Sequence, residues 1–274
     1  MTENPEIGHS IVANGIKTNY HDIGKGDVTL LIHGSGPGVT AWANWQRTIP
    51  VLEQQGRVVA PDMVGFGYTD RLESGTYGLD KWVEHIFAFM DELDIESANV
   101  VGNSFGGALA LAMASRKPQR VKRLVLMGSV GVTFPITDGL DAVWGYKPSL
   151  ENMQEILRYF AYDRSRLTPA LAEMRYQASI RPGCSEAFSQ MFPEPRQRWV
   201  DAMTTPEASL RQLPHETLIV HGREDMVIPT STSLTLHSLI PNSQLHIYSH
   251  CGHWTQIEQA DRFNRLVANF LAEK

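Results

Sequence analysis

The sequence predicts an α/β fold with a mostly parallel central sheet flanked by helices and interrupted by a helical insertion. Three observations carry that expectation. Short apolar β-type runs alternate with helical segments in the first half of the chain and again near its end, the pattern of βαβ units. From about Pro135 to Pro206 the β runs stop, and helix-like segments rich in Trp, Tyr, Phe and Met take over. Gly102-Asn103-Ser104-Phe105-Gly106 stands between a β run and a small-residue helix.

Residues 16–20 and 28–32 read as strands, separated by the turn Ile23-Gly24-Lys25-Gly26-Asp27. Another β run covers 57–61. Trp82, Val83, Ile86, Phe89, Met90 and Leu93 recur at helical spacing, so 82–93 is an amphipathic helix. A strand at 98–101, a helix at 106–116 and a strand at 121–127 follow. In the insertion, 151–162 and 169–180 are the clearest helices. Strands resume at 217–221 and 244–249, and a helix closes the fold from about Ala260 to Ala272. The expected division is a core of residues 1–134 and 206–274 and a helical lid of residues 135–205, set where it can close over the sheet. Extra packing helices without a gating role are the plainer alternative.

A chain of 274 residues suits one large domain or a core with an insertion. Its 42% hydrophobic and 20% charged residues are ordinary for a soluble globular protein. The net charge of −6 is spread along the chain, which excludes the basic stripe that nucleic-acid binding requires. Two cysteines, Cys184 and Cys251, cannot build a disulfide framework and fit a reducing compartment. The polar start MTENPEIGHS lacks the apolar centre of a secretory signal, and no apolar run approaches the ~20 residues that span a bilayer. The expectation is a cytoplasmic protein that engages neither membrane nor nucleic acid.

Ser104 has the context of a nucleophile elbow, a serine on a tight strand-to-helix turn whose flanking glycines admit neighbouring backbone. Such a turn lifts the hydroxyl above the sheet edge and aims helix N-terminal N–H groups at a developing oxyanion. A serine hydroxyl needs a base, and the base needs an acid to orient it. Folds with this elbow carry them in the order Ser, acid, His. Asp225, in Gly222-Arg223-Glu224-Asp225 just past a strand end, is the chosen acid, with Glu224 its neighbouring competitor. His253, in His250-Cys251-Gly252-His253-Trp254, is the base, and His250 reads as a strand-end histidine. The loop His33-Gly34-Ser35-Gly36-Pro37-Gly38 corresponds to the one that completes an oxyanion hole, with Ser35 and Phe105 supplying the N–H pair. Its spacing is not that of a dinucleotide loop. His246, His250, Cys251 and His253 lack the spacing of known zinc motifs. Asp62-Met63-Val64-Gly65-Phe66-Gly67 reads as a structural turn at the pocket rim.

Taken together, 33–38, Asn103-Ser104-Phe105-Gly106-Gly107, Gly222-Arg223-Glu224-Asp225 and Cys251-Gly252-His253-Trp254 make the chain resemble the meta-cleavage product hydrolases, enzymes of the α/β-hydrolase fold. The resemblance runs over essentially the whole chain and includes Trp144-Gly145-Tyr146 and the run from Met191 to Trp199 in the insertion. It is strongest to the branch of catechol and toluene/phenol degradation, then to the alkylbenzene branch, and weaker to the biphenyl branch. It implies hydrolysis of a carbon–carbon bond in 2-hydroxy-6-oxo-hexa-2,4-dienoates, namely 2-hydroxymuconate semialdehyde or 6-alkyl analogues. The products would be 2-hydroxypenta-2,4-dienoate and a short carboxylic acid. Asn44, Asn103, Arg175 and Trp254 match the family's substrate-binding positions. The chemistry agrees at Arg175, because a guanidinium can grip a carboxylate bidentately. The resemblance also implies a homo-oligomer, dimer or larger, and neither metal nor organic cofactor. A carboxylesterase has the same triad, and a ligand-binding receptor can retain a slow one, so both stand as alternatives.

Overall fold

The computed structural model describes residues 4–72 and 76–273. Eight strands form one sheet: β1 (His9–Ala13), β2 (Ile16–Ile23), β3 (Val28–Ile32), β4 (Arg57–Pro61), β5 (Ala98–Asn103), β6 (Val121–Met127), β7 (Thr217–Gly222) and β8 (Ser243–Tyr248). Their order is β1-β2-β4-β3-β5-β6-β7-β8. β2 runs antiparallel to β1 and β4, and the remaining neighbours are parallel.

The central strands are dominated by buried apolar residues because both faces are covered. Leu30, Ile32, Val100, Leu124 and Leu126 pack into one layer with helices Leu79–Glu92 and Phe105–Arg116. Their alternate neighbours Leu31, Val101, Val125 and Met127 pack into the other, with Trp45, Phe263 and Val267. Each such side chain, fully withdrawn from water, contributes on the order of 1.5–3 kcal/mol.

The expected strands and helices are present with small differences at their ends. β1 was not foreseen. It forms a hairpin with β2 across Asn14-Gly15, both at positive φ (49° and 76°), as a two-residue hairpin turn requires. The Asn-Gly pair was its signal, but β1 is a largely exposed edge strand whose apolar residues Ile11, Val12 and Ala13 run together without alternation. Helix Thr230–Leu239 was also unforeseen, since its Ser and Thr content hides any apolar stripe.

Between β6 and β7 the chain forms only helices, among them Asp138–Trp144, Leu150–Phe160, Pro169–Ser179, Cys184–Met191 and Gln197–Ala202. The starts of the first three follow from side-chain caps. Thr137, Ser149 and Thr168 accept the N–H groups of Leu140, Asn152 and Leu171.

Asp62, just past β4, is fully buried, and it fixes the turn that follows. It accepts from the N–H groups of Ala41 (2.6 Å) and Tyr68 (2.8 Å) and from Asn19 Nδ2 (2.8 Å). The turn is structural, as its sequence suggests. It does not rim the cavity described below, however. It backs the 33–38 loop, because the Met63 N–H donates to His33 Nε2 (2.9 Å). Burial pushes the Asp62 carboxyl up from 3.8 to about 6, although its three donors pull the other way. The folded state therefore binds this proton before the unfolded chain does. Asp62 should favour the native state increasingly as the pH falls from about 6 to 4, by about 2–3 kcal/mol for a shift of this size. Urea unfolding of the parent and Asp62→Asn at pH 4 and pH 6 tests this. The stability difference should favour the parent more at pH 4, and a difference independent of pH would contradict it.

Candidate active site

β5 delivers Ser104 directly into helix Phe105–Arg116, and Ser104 adopts φ 56°, ψ −113°, a conformation that costs a non-glycine residue on the order of 1–3 kcal/mol. Neighbouring backbone holds it there. Ser104 N–H donates to Met127 O (2.8 Å), and Ser104 O accepts from Gly107 N–H (2.9 Å) and Val130 N–H (3.2 Å). The flanking glycines are required by contact. A Cβ on Gly102 would strike the Gly106 backbone, and one on Gly106 would strike Ile32 and His33. Phe105 opens the helix, so its N–H is among the donors that lack an intrahelical acceptor.

The loop after β3 is fastened from several sides. His33 is wholly buried, and burial lowers its pKa to about 4, so the ring is neutral. Its Nδ1 donates to Gly34 O (2.6 Å) while Nε2 accepts from Met63. Gly34 N–H and Asn103 Nδ2 both donate to Asn44 Oδ1, at 3.1 and 2.9 Å. From the helical insertion, the Trp144 indole N–H donates to Ser35 Oγ (2.9 Å). Trp144 stacks on Phe192 (4.3 Å, 5°), Phe192 on Trp82 (6.1 Å), and Trp82 meets Phe105 edge-on (4.7 Å, 90°). One aromatic row thus joins Ser35 and Phe105, the residues whose N–H groups the sequence pairs.

On the turn after β7, Asp225 Oδ1 accepts from Val227 and Ile228 N–H (2.8 and 2.9 Å), and Oδ2 accepts from His253 Nδ1 (2.7 Å). Burial acts to raise the Asp225 pKa. Electrostatic attraction toward His253 and the hydrogen bonds from His221 and His253 overcome it and hold the carboxyl well below the usual range, so it is ionised. With Nδ1 committed to Asp225, Nε2 is the His253 nitrogen left for chemistry. The competitor Glu224 faces elsewhere, accepting from Cys251 N–H and Arg223. His250 is exposed, and Cys251 lies buried with its thiol pushed up to about 12 by burial.

Seven of the nine residues proposed from sequence, Ser35, Asn44, Asn103, Ser104, Arg175, His253 and Trp254, line one cavity between the sheet edge and the helical insertion. Asp225 stands behind His253, and the Phe105 side chain turns into the core, so only its backbone bears on the site. Arg175, on helix Pro169–Ser179, is half-buried, and its Nε has no partner among the described residues. Burial lowers its pKa against the pull of Glu6, yet a guanidinium stays charged. Asn44 Nδ2 and Asn103 Oδ1 are likewise buried and unpartnered. Trp254 stacks on Phe160 of the insertion (5.1 Å, 5°).

Sequence reasoning missed Gln256, which lines the cavity with Oε1 buried and unpartnered among the described residues. It also missed the apolar wall from the insertion: Leu140, Val143, Met153, Ile156 and Leu157. Helical spacing marks these only as an apolar face and does not say what the face covers.

An eight-stranded sheet with a serine on a strand-to-helix elbow and a His–Asp pair on neighbouring strand ends defines an α/β hydrolase, and the α/β hydrolase fold model matches residues 28–260. The chain is 60% identical over 269 residues to the 2-hydroxymuconate semialdehyde hydrolase of Pseudomonas sp. (strain CF600), covering 98% of this chain and 95% of the relative. It is 58% identical to the 2-hydroxy-6-oxo-2,4-heptadienoate hydrolase of Pseudomonas putida (strain F1), over 98% of each. It superposes with a TM-score of 0.97, at 60% identity and 98% coverage of both chains, on a meta-cleavage product hydrolase from Pseudomonas fluorescens IP01 (CumD), solved as a serine-to-alanine mutant complexed with acetates. The chain belongs to the meta-cleavage product hydrolases.

Trp144→Phe should keep the stack on Phe192 and lose only the bond to Ser35. The expected cost is about 1 kcal/mol, or about 2–4 °C in thermal midpoint. An unchanged midpoint would mean that this bond contributes nothing to fastening the loop.

Proposed function

We propose that the protein hydrolyses the carbon–carbon bond next to the C6 carbonyl of 2-hydroxy-6-oxo-hexa-2,4-dienoates such as 2-hydroxymuconate semialdehyde, releasing 2-hydroxypenta-2,4-dienoate and a short carboxylic acid. The observation that carries this reading is the two-ended polarity of the cavity. Ser104 and the Asp225-backed His253 share it with Arg175, a charged group whose Nε awaits an acceptor, while the insertion contributes an apolar wall. An anionic dienoate with an apolar C6 substituent matches that distribution.

In the proposed sequence, Arg175 holds the carboxylate, and Asn44 and Asn103 hold the 2-hydroxy-oxo end with their free amide atoms. Trp254 forms the wall beside it. Proton transfer converts the dienol to a keto form, placing an electron sink beside the scissile bond. His253, oriented by Asp225, activates Ser104 or a water for attack on C6. The N–H groups of Ser35 and Phe105 stabilise the oxyanion, where one donor is typically worth about 3–4 kcal/mol. Cleavage then expels the dienolate carbon, which takes up a proton; on the Ser104 route a water activated by His253 hydrolyses the acyl-serine left behind, and on the water route the short acid leaves directly. Every step uses groups of the chain itself, without a metal or organic cofactor. Residues 135–205 act as the lid of a core made of 1–134 and 206–274, shutting out bulk water during the reaction. A homo-oligomer in the cytoplasm belongs to the same reading. Free, buried Cys184 and Cys251 fit the reducing compartment of that reading.

The loss of visible absorbance of 2-hydroxymuconate semialdehyde measures the activity directly. Turnover should exceed that of a short p-nitrophenyl ester, and faster ester turnover would favour the carboxylesterase instead. Near-stoichiometric turnover with retained product would favour the receptor.

Ser104→Ala should lower kcat by roughly 10⁴-fold or more while dienoate binding persists. Arg175→Ala removes a charge-assisted pair and should lower kcat/KM by roughly 10- to 100-fold. Parent-like kinetics in either variant would overturn that residue's assignment.

A further inference from the structure

Asp225 meets two imidazoles. Besides His253, the ring of His221 near the end of β7, wholly buried, brings Nε2 to 3.2 Å from Asp225 Oδ2. The same Nε2 is 3.0 Å from the carbonyl oxygen of Ile228, and Nδ1 is 2.6 Å from Ser233 Oγ. Both oxygens near Nε2 are pure acceptors, so the ring carries a proton there and shares it between them. Ser233 Oγ is a hydroxyl and can donate to Nδ1. Ser233 sits buried on helix Thr230–Leu239, so the tautomer is set from the far side of the ring. Ile228 closes the arrangement, since its N–H donates to Asp225 Oδ1 and its carbonyl receives from His221.

We infer that His221 is a positioning residue for the triad: its Nε2–H, fixed by Ser233 and Ile228, pins Asp225 Oδ2 in line with His253 Nδ1. The inference rests on the proposed Ser104–His253–Asp225 assignment. The physical need is specific. The χ2 torsion of an aspartate has a broad preference, and the two backbone N–H groups hold only Oδ1. Without a second donor, Oδ2 is tied by His253 alone, the group whose position it is meant to fix. A buried carboxylate also needs its remaining acceptor capacity filled. The other titratable groups close by do not supply this. The Cys251 thiol bonds to Gly252 O and Thr255, and Glu224 and Glu258 accept from the Cys251 and Gly252 backbone.

Asparagine and glutamine at 221 separate the two halves of the ring. The amide of His221→Asn stands near Nδ1 and keeps Ser233 without reaching Asp225. The amide of His221→Gln stands near Nε2 and restores a donor to Oδ2. His221→Asn should lower kcat for the dienoate about tenfold with KM within about twofold, and His221→Gln should recover most of the loss. The strongly deshielded proton resonance of the His253 Nδ1–H should move in the asparagine variant and return in the glutamine variant. Equal kcat in the two variants, or an unmoved resonance, would overturn the inference. Nitrogen NMR of the unaltered protein supplies a test that needs no variant. A protonated Nε2 on His221 supports the assignment, and a bare Nε2 with the proton on Nδ1 sinks it. If Ser104→Ala also leaves turnover intact, the triad reading itself has failed. If it abolishes turnover while His221→Asn behaves like the parent, only the role of His221 is lost.

Discussion

The site depends on a backbone constraint at Ser104. A residue with a side chain occupies φ 56°, where isolated peptides of L-residues rarely stay, and it is held there by hydrogen bonds to Met127 and Val130 and by the close approach of Ile32 and His33 to Gly106. Those partners belong to β3, β6 and the segment after it, so the strain is met by the middle of the sheet. Both faces of that middle are packed with apolar side chains, leaving little room for the turn to relax. The consequence is chemical. The hydroxyl and the first N–H groups of the following helix are presented together at the ends of parallel strands, without a conformational search.

Asp225 and His253, the proposed acid and base, come from the same sheet edge. β7 and β8 are adjacent and parallel, so the turns after them bring Asp225 and His253 within 2.7 Å although 28 residues separate them in the chain. Gly128, at the end of β6, completes the fit. A Cβ there would stand 3.2 Å from both Asp225 Oδ2 and His253 Nδ1, and the backbone has φ 49°, so a side chain at this position would be both crowded and strained. Asp225 is buried with its oxygens met by backbone and imidazole donors. That is the condition under which a carboxylate stays ionised away from water and can orient a histidine.

The helical insertion contributes more than a cover. It supplies Arg175, the apolar wall, the Phe160 ring stacked on Trp254 and the Trp144 indole on Ser35. Placement of the insertion and integrity of the 33–38 loop are therefore coupled through specific contacts. On an α/β-hydrolase core, chemistry is shared widely while selectivity resides in what lies over the strand ends. The family relationship and the polar arrangement of this cavity agree on that point.

By itself, the sequence determined the alternation of strands and helices, the interruption at about Pro135 and the elbow at Ser104. These are local properties, in which apolar periodicity, glycine and turn chemistry act within a few residues. The acid and base were also legible, because each lies on a turn just past a β run and the parallel order puts those turns on one edge. Arg175 was different: on its helix it reads as a solvated arginine, and the resemblance to a family drew attention to it. The tertiary structure alone decided that Arg175 Nε is buried without a partner among the described residues, that Gln256 lines the cavity, that Asn44 and Asn103 are hydrogen-bonded to each other, and that His221 stands against Asp225. Those facts depend on contacts between residues as far as 212 positions apart, such as Gln256 Nε2 with Asn44 O, or on which side of a strand end a ring turns. Sequence periodicity specifies the buried face of an element, and only assembly of the whole sheet and insertion specifies what that face meets.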